Sequence, residues 1–274
     1  MVGTVDALGP GVTDWTAGQQ VAALTVYGAY ADYVCLSARS LVRVPSGLDP
    51  VRAVGLVLSY VTAHQLLYRA ADATKGERVL VQGAAGAVGT AAVQLGLREG
   101  LEMYGTAAGE GAARVTELGA TALDHAREDV PARVRAQTGG GADVVLDGIG
   151  GRTAWDSLRS LRPGGRLILF GHHSALSQGR RSLLRTLGFY LVGAAVFAAA
   201  ALPRRRQVTT YRIAALRDLH PDWYREDLGR LLRLLEAGKV TPPPVTVLPL
   251  EQAARAHARI GQGHLTGKYV RPGR

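Results

Sequence analysis

The residues best suited to chemistry stand in one run, Gln82-Gly83-Ala84-Ala85-Gly86-Ala87-Val88-Gly89. Small side chains let a backbone turn sharply and approach a pyrophosphate. A helix starting at the turn offers unpaired N–H groups and a positive dipole end to the phosphates. The surroundings make the run a dinucleotide-binding candidate: an apolar strand over 77–82, an alanine-rich helix after it, and a second strand ending at Thr106. The alternative is tight helix–strand packing with no ligand. An acidic residue at the end of the second strand would hold the ribose hydroxyls of NAD, and Thr106-Ala107-Ala108 supplies none. Glu110 reads as a helix N-terminal acid, and Arg114 as a partner for a 2′-phosphate or part of a solvated helix face. NADPH is therefore expected, with NADH as the alternative. Metal chemistry has no comparable set, since the single cysteine, Cys35, cannot by itself build a structural zinc site.

The elements that must position this turn are legible around it. ERVLVQ, LEMYGTA, TALD, ADVVLD and GRLILFG alternate with amphipathic stretches between about residue 77 and 171. Val- and Leu-rich strands alternating with helices predict an α/β core, a doubly wound parallel sheet covered on both faces. Before it, VAALTVYG and AYADYVCL suggest a small antiparallel domain ending at Val44-Pro45-Ser46-Gly47. A helix is predicted over 50–71, with Asp49 as N-cap and Pro50 at its first position. Farther on, Thr241-Pro242-Pro243-Pro244 stops a helix over 222–237, and VTVLPL, a helix from Glu251 and GKYV follow. The apolar run 186–202, bracketed by Arg185 and Arg204-Arg205-Arg206, is shorter than the roughly 20 residues that span a bilayer. It reads as a buried or interface helix, a lid over a greasy substrate pocket, or a peripheral membrane contact.

Composition excludes several classes. With 274 residues, 47% hydrophobic and 20% charged, the chain is globular rather than disordered. The net charge of +10 is spread along the chain and arginine-dominated, without zinc-finger spacing or an RNA-binding aromatic motif, so nucleic acid is not an expected partner. The start MVGTVDALGPGV has no signal-peptide pattern, and a lone cysteine suits a reducing compartment, so the cytoplasm is expected.

GTVDALGPGVTDWTAGQQVAAL, LVRVPSGLDPVRAVGLVLSYVTAHQLL, ERVLVQGAAGAVGTAAVQL, ELGATALD, VVLDGIGG, LRPGGRLILFG and GHLTGKYV occur in this order. Together they resemble the zinc-independent medium-chain dehydrogenases/reductases of the quinone oxidoreductase, zeta-crystallin-like, branch. The resemblance implies a Rossmann cofactor domain (53–239) inserted in a partial GroES-like catalytic domain (1–52 and 240–274). It also implies a homodimer and hydride transfer from NADPH to a quinone, enone or other activated alkene without metal. Carried onto this chain, it puts Thr62 beside the nicotinamide, the Gly83–Gly89 turn under the pyrophosphate and Thr106 at the adenosine end. It puts Asp147-Gly148-Ile149 and Phe170-Gly171 at the nicotinamide ribose, and Lys268 near the cofactor. The relatives' phosphate-binding lysine falls near Gly111, and their adenine-side tyrosine is His125, which is suited to stack on adenine or meet the phosphate. His64, on the helix where zinc-dependent relatives carry a ligand, reads as a packing residue.

For the proton that completes the reduction, His172 and His173 follow Phe170-Gly171 directly at a strand end, and Tyr60 is the second candidate. Strand 208–213 is expected at the sheet edge, followed by a helix with Leu228, Leu231, Leu232 and Leu235 on its core face. Relatives carry several dozen residues ahead of the stretch matching Val2–Val5, so the chain is expected either to start upstream or to be shortened at its catalytic domain. Two further roles stay open on the same fold: a catalytically impaired nucleotide-binding scaffold, and a non-redox cyclase or isomerase.

Overall fold

A computed structural model describes residues 1–25, 27–171, 176–177, 180–181, 183–200, 206–261 and 268–270. They divide into two compact units, Met1–Thr62 with Ile213–Arg274, and Ala63–Arg212.

In the first unit, β1 (Val2–Thr4), β2 (Gln20–Ala22) and β3 (Val42–Arg43) pair antiparallel, as the alternating pattern suggests. AYADYVCL is not a strand. Among the described residues no strand pairs with it, and its Tyr30 and Tyr33 stand exposed, so its alternating side chains bury no face. The predicted helix 50–71 is a composite run: α1 (Pro50–Gly55), a π-helical turn over Leu56–Tyr60, α2 (Val61–His64) and a second π-helical turn over Gln65–Ala70. It starts as its sequence dictates, with the Asp49 carboxylate accepting the Val51 N–H at 2.9 Å and Pro50 at the first position.

The second unit carries the parallel sheet. Its strands are β4 (Arg78–Gln82), β5 (Glu102–Ala107), β6 (Thr121–Asp124), β7 (Ala142–Asp147), β8 (Leu161–Leu169) and β11 (Gln207–Thr210), in the order β11-β8-β7-β4-β5-β6. Two short strands, β9 (Leu176–Ser177) and β10 (Arg180–Arg181), pair with each other. The connecting helices are α3 (Ala87–Arg98), α4 (Glu110–Glu117), α5 (Val130–Thr138), α6 (Arg152–Ser160) and α7 (Leu183–Ala200). Val79, Leu80 and Val81 on β4 and Val144, Val145 and Leu146 on β7 are fully buried. Burial on both faces is why these central strands read as unbroken apolar runs rather than alternating ones. The fold is therefore the expected α/β doubly wound sheet, and the chain order reverses between β4 and β7, where such sheets open a ligand crevice at their C-terminal ends.

The edge strand β11 is shorter than its predicted 208–213. After it Tyr211 turns inward, its hydroxyl donating to Gln65 Oε1 at 2.7 Å, and Ile213 opens α8 (Ile213–Leu219). In the first unit, α9 (Pro221–Glu236) buries Leu228, Leu231, Leu232 and Leu235, the face its periodicity marks. β12 (Val245–Val247) pairs parallel with β13 (Lys268–Val270), and α10 (Ala253–Gly261) lies between them in sequence. None of the described helices is long and apolar enough to cross a membrane.

Candidate functional site

The candidate site is built at the C-terminal ends of β4, β5, β6, β7 and β8, all within 63–212. β4 ends at Gln82, and the chain turns at Gly83 with φ +69°, a conformation costly for any residue with a side chain. Helix α3 then starts on Gly86 with no side-chain cap, which leaves the N–H groups of Ala87, Val88 and Gly89 directed beyond the strand ends. The helix sits directly on the turn, and a Cβ at Gly89 would lie 2.6 Å from both Ala84 Cα and Gly83 O. An uncapped twelve-residue helix over a cradle that side chains would fill fits a pyrophosphate.

Thr106 and Gln82 brace the turn from below. The Thr106 hydroxyl accepts the Gly83 N–H at 3.0 Å and donates to Gln82 Oε1 at 2.8 Å, while the Thr106 carbonyl accepts the Ala84 N–H at 2.9 Å. Thr106 therefore shapes the turn, with its side chain buried beneath it. Beside it, α4 begins next to the glycine turn: a Cβ at Gly111 would lie 3.1 Å from the Ala85 Cβ and 3.4 Å from the Ala107 Cβ. Glu110 is exposed at the start of α4. Arg114, one turn on, holds its Nε buried without a hydrogen-bond partner. His125 is exposed in the turn after β6, and the pairing of Asp124 with Ala107 sets it beside the end of β5.

At the end of β7, Asp147 is fully buried and folds the following loop around its carboxylate. Oδ1 accepts the N–H groups of Ile149 at 2.8 Å and Gly150 at 2.9 Å, and Oδ2 accepts a hydroxyl from Ser157 of α6 at 2.9 Å. Burial without a cationic partner pushes this carboxyl above the usual carboxylate range, and the three donors only partly oppose the shift. The loops after β7 and β8 meet closely: a Cβ at Gly148 would lie 2.7 Å from the Phe170 ring, and one at Gly171 would overlap the Gly148 carbonyl. Phe170 N–H donates to Asp147 O at 2.9 Å, which fixes that contact.

Other sequence-selected residues lie elsewhere or beyond description. Tyr60 is fully buried, and its hydroxyl donates to Thr241 O at 3.0 Å. Burial raises its pKa and keeps the phenol protonated. Thr62 is buried at the end of the unit that includes 1–62. Lys268 opens β13, and its side chain, like His172 and His173, lies outside the described residues. Gln82, at the head of the glycine run, and Ser157 are the bracing positions to which the sequence assigned no role of their own. Their only sequence signal is a polar side chain at an otherwise apolar strand end and on the inward face of a helix. Among the described residues no three His, Cys, Asp or Glu side chains stand together as a metal set, and the chain's one cysteine, Cys35, is exposed. The described residues thus do not fit a zinc site.

Comparison with known proteins places this geometry. A family model described as zinc-binding dehydrogenase matches residues 118–270. The pikromycin polyketide synthase component PikAII of Streptomyces venezuelae is 34% identical over 275 residues, 98% of this chain and 7% of that protein. The chain spans only 7 to 12% of the length of the polyketide synthases it matches first. A quinone oxidoreductase structure from Pseudomonas syringae pv. Tomato DC3000 superposes with a TM-score of 0.83 at 29% identity, covering 98% of this chain and 79% of that one. A 2-haloacrylate reductase structure matches at 31% identity and a TM-score of 0.78, covering 97% of this chain and 79% of that one.

Proposed function

The chain belongs to the medium-chain dehydrogenase/reductase family, within the branch of the quinone oxidoreductases, and from that premise we propose that it is an NADPH-dependent reductase of quinones, enones or other activated alkenes, working without metal. The observation that carries this reading is the uncapped N-terminus of α3 over the Gly83–Gly89 turn, at the reversal point of a parallel sheet. The preference for NADPH is supported by Arg114, whose buried, unpartnered Nε suits a 2′-phosphate, and by the lack of an acid at the end of β5.

Reduced nicotinamide, when bound, supplies the hydride. The N–H groups of Ala87, Val88 and Gly89 would hold the pyrophosphate, and His125 and Arg114 would serve its adenosine end. Gly148 and Phe170-Gly171 would border the nicotinamide ribose, and the family resemblance adds Thr62 and Lys268 as residues assigned to the cofactor. A hydride taken at the β-carbon of an enone leaves an enolate that needs one proton at its α-carbon. His172 or His173, which follow β8 in sequence, is the group assigned to give it. The same reading makes the protein a cytoplasmic homodimer.

Mixing the chain with NADPH and a panel of benzoquinone, naphthoquinone and cyclohexenone tests the proposal. The expected result is loss of reduced-nicotinamide absorbance in step with product, one equivalent each. Tight NADPH binding without oxidation would instead identify a scaffold, and product without nucleotide consumption a cyclase or isomerase.

A further inference from the structure

Four buried side chains at the ends of β4, β5 and β7 and on α6 form one directed chain of hydrogen bonds. The Gly83 N–H donates to Thr106 Oγ1 at 3.0 Å, and Thr106 Oγ1 donates to Gln82 Oε1 at 2.8 Å. Gln82 Nε2 then donates to Ser157 Oγ at 3.0 Å, and Ser157 Oγ donates to Asp147 Oδ2 at 2.9 Å. Asp147 in turn holds the Ile149 and Gly150 N–H groups through its other oxygen. None of the four side chains is more than 5% exposed, so water does not substitute for a lost member.

The direction of the chain is set at Asp147. Asp147 Oδ2 accepts from Ser157, so Ser157 spends its single proton there and can only accept from Gln82. That requirement turns the Gln82 amide with its nitrogen toward Ser157 and its oxygen toward Thr106. Thr106 then gives its own proton to Gln82 and is left to accept from Gly83. Each bond polarises the next in the same sense. Reversing any one member leaves two donors or two acceptors facing each other in a dry site.

We propose that Gln82 is a positioning residue that locks the glycine turn to the Asp147–Gly150 loop, so that the pyrophosphate and nicotinamide-ribose contacts are set as one unit rather than separately. Gln82 is the only member of the chain that touches both halves, through Thr106 on one side and Ser157 on the other. The functional meaning rests on the nucleotide reading of this site, whereas the mechanical coupling does not.

The experiment therefore reads both. Amide hydrogen exchange at Gly83 and NADPH affinity are measured in the full chain for Ser157→Ala, Thr106→Val, Gln82→Leu, the Ser157→Ala/Thr106→Val double variant and the conservative Thr106→Ser. Exchange at Leu80, inside β4, serves as the reference for global stability. Ser157→Ala removes a partner two links away from Gly83, yet it is expected to raise Gly83 exchange about tenfold relative to Leu80, the loss of one buried hydrogen bond. It should also weaken NADPH about tenfold. The double variant should lose less than the product of the two single effects, Gln82→Leu should match it, and Thr106→Ser should behave as the wild type. Gly83 exchange that ignores Ser157→Ala, in a chain that binds NADPH, would overturn the coupling and leave the nucleotide reading intact. Coupled exchange in a chain that binds no nucleotide would keep the lock and overturn the nucleotide reading.

Discussion

Strand β7 carries an aspartate near each end, about 13 Å apart, and the two are treated in opposite ways. Asp143, near its start, accepts the backbone N–H and Nε of Arg78 at 2.7 and 3.2 Å and is paired with the Arg162 guanidinium. Burial works to raise its pKa, but the Arg78 N–H and the Arg162 guanidinium outweigh it and hold the carboxyl below its ordinary value. Asp147, at the other end, has neutral donors only and is pushed the other way. One end of the sheet is neutralised and serves stability. The other accepts from neutral donors only, and they hold the loops in place where the strands open onto the ligand crevice. The contrast teaches that one strand can spend its two carboxylates differently, on cations at the N-terminal edge and on loop N–H groups at the C-terminal edge, and it predicts that only the second bears on function.

The largest test of that division is Gly89→Val. With only 2.6 Å between a Cβ and the turn, the branched side chain forces α3 off the strand end, and nucleotide affinity should fall by at least about a hundredfold in a fluorescence titration. At the opposite edge, Asp143→Asn removes the carboxylate that pairs Arg78 and Arg162. It should cost about 2 kcal/mol in denaturant unfolding, below the range for fully buried pairs because both arginines are partly exposed, with NADPH affinity unchanged. A loss of affinity in Asp143→Asn would erase the distinction between the edges. Arg114→Ala sharpens the site itself: NADPH should weaken about tenfold, the scale of a charge-assisted hydrogen bond, while NADH stays as it is.

The smallest effect separates the two aspartates by pH. Asp143 has a lowered folded pKa, so its contribution is present above the unfolded value near 3.8 and is lost as pH falls through the folded value. Asp147 has a raised folded pKa, so its contribution is present below that same value and is lost as pH rises through the folded one. Unfolding free energies at a series of pH values should show Asp143→Asn less sensitive to acid than the wild type. Asp147→Asn should be less sensitive to the rise above pH 4, and identical profiles for both variants would break the comparison.

Much of the C-terminal edge was legible because local signals agreed. The glycine run lies between an apolar strand and an alanine-rich helix, and strands β4 and β7 are apolar throughout, so the sheet and its turn could be read from neighbouring residues. AYADYVCL misled because alternation alone does not supply a partner strand. The extent of β11 was overestimated because the ladder closes with the Tyr211 N–H on Leu169 O at 2.8 Å and a helix opens two residues later at Ile213. The lock escaped notice because its members lie far apart in the sequence. Gln82 meets Ser157 across 75 residues and Thr106 across 24, and a serine within a helix carries no mark of the carboxylate it will serve. The family resemblance pointed to the loops after β7 and β8, but not to the hydrogen bonds that hold them.

The central claim is that the C-terminal edge of this sheet is a nucleotide site with a preference set by Arg114. Titrating the 274-residue chain with NADPH and with NADH, followed by nucleotide fluorescence with a circular-dichroism check of folding, tests it most directly. Saturable binding of both, with NADPH about tenfold tighter, is the expected result. A folded chain that binds neither nucleotide would contradict it.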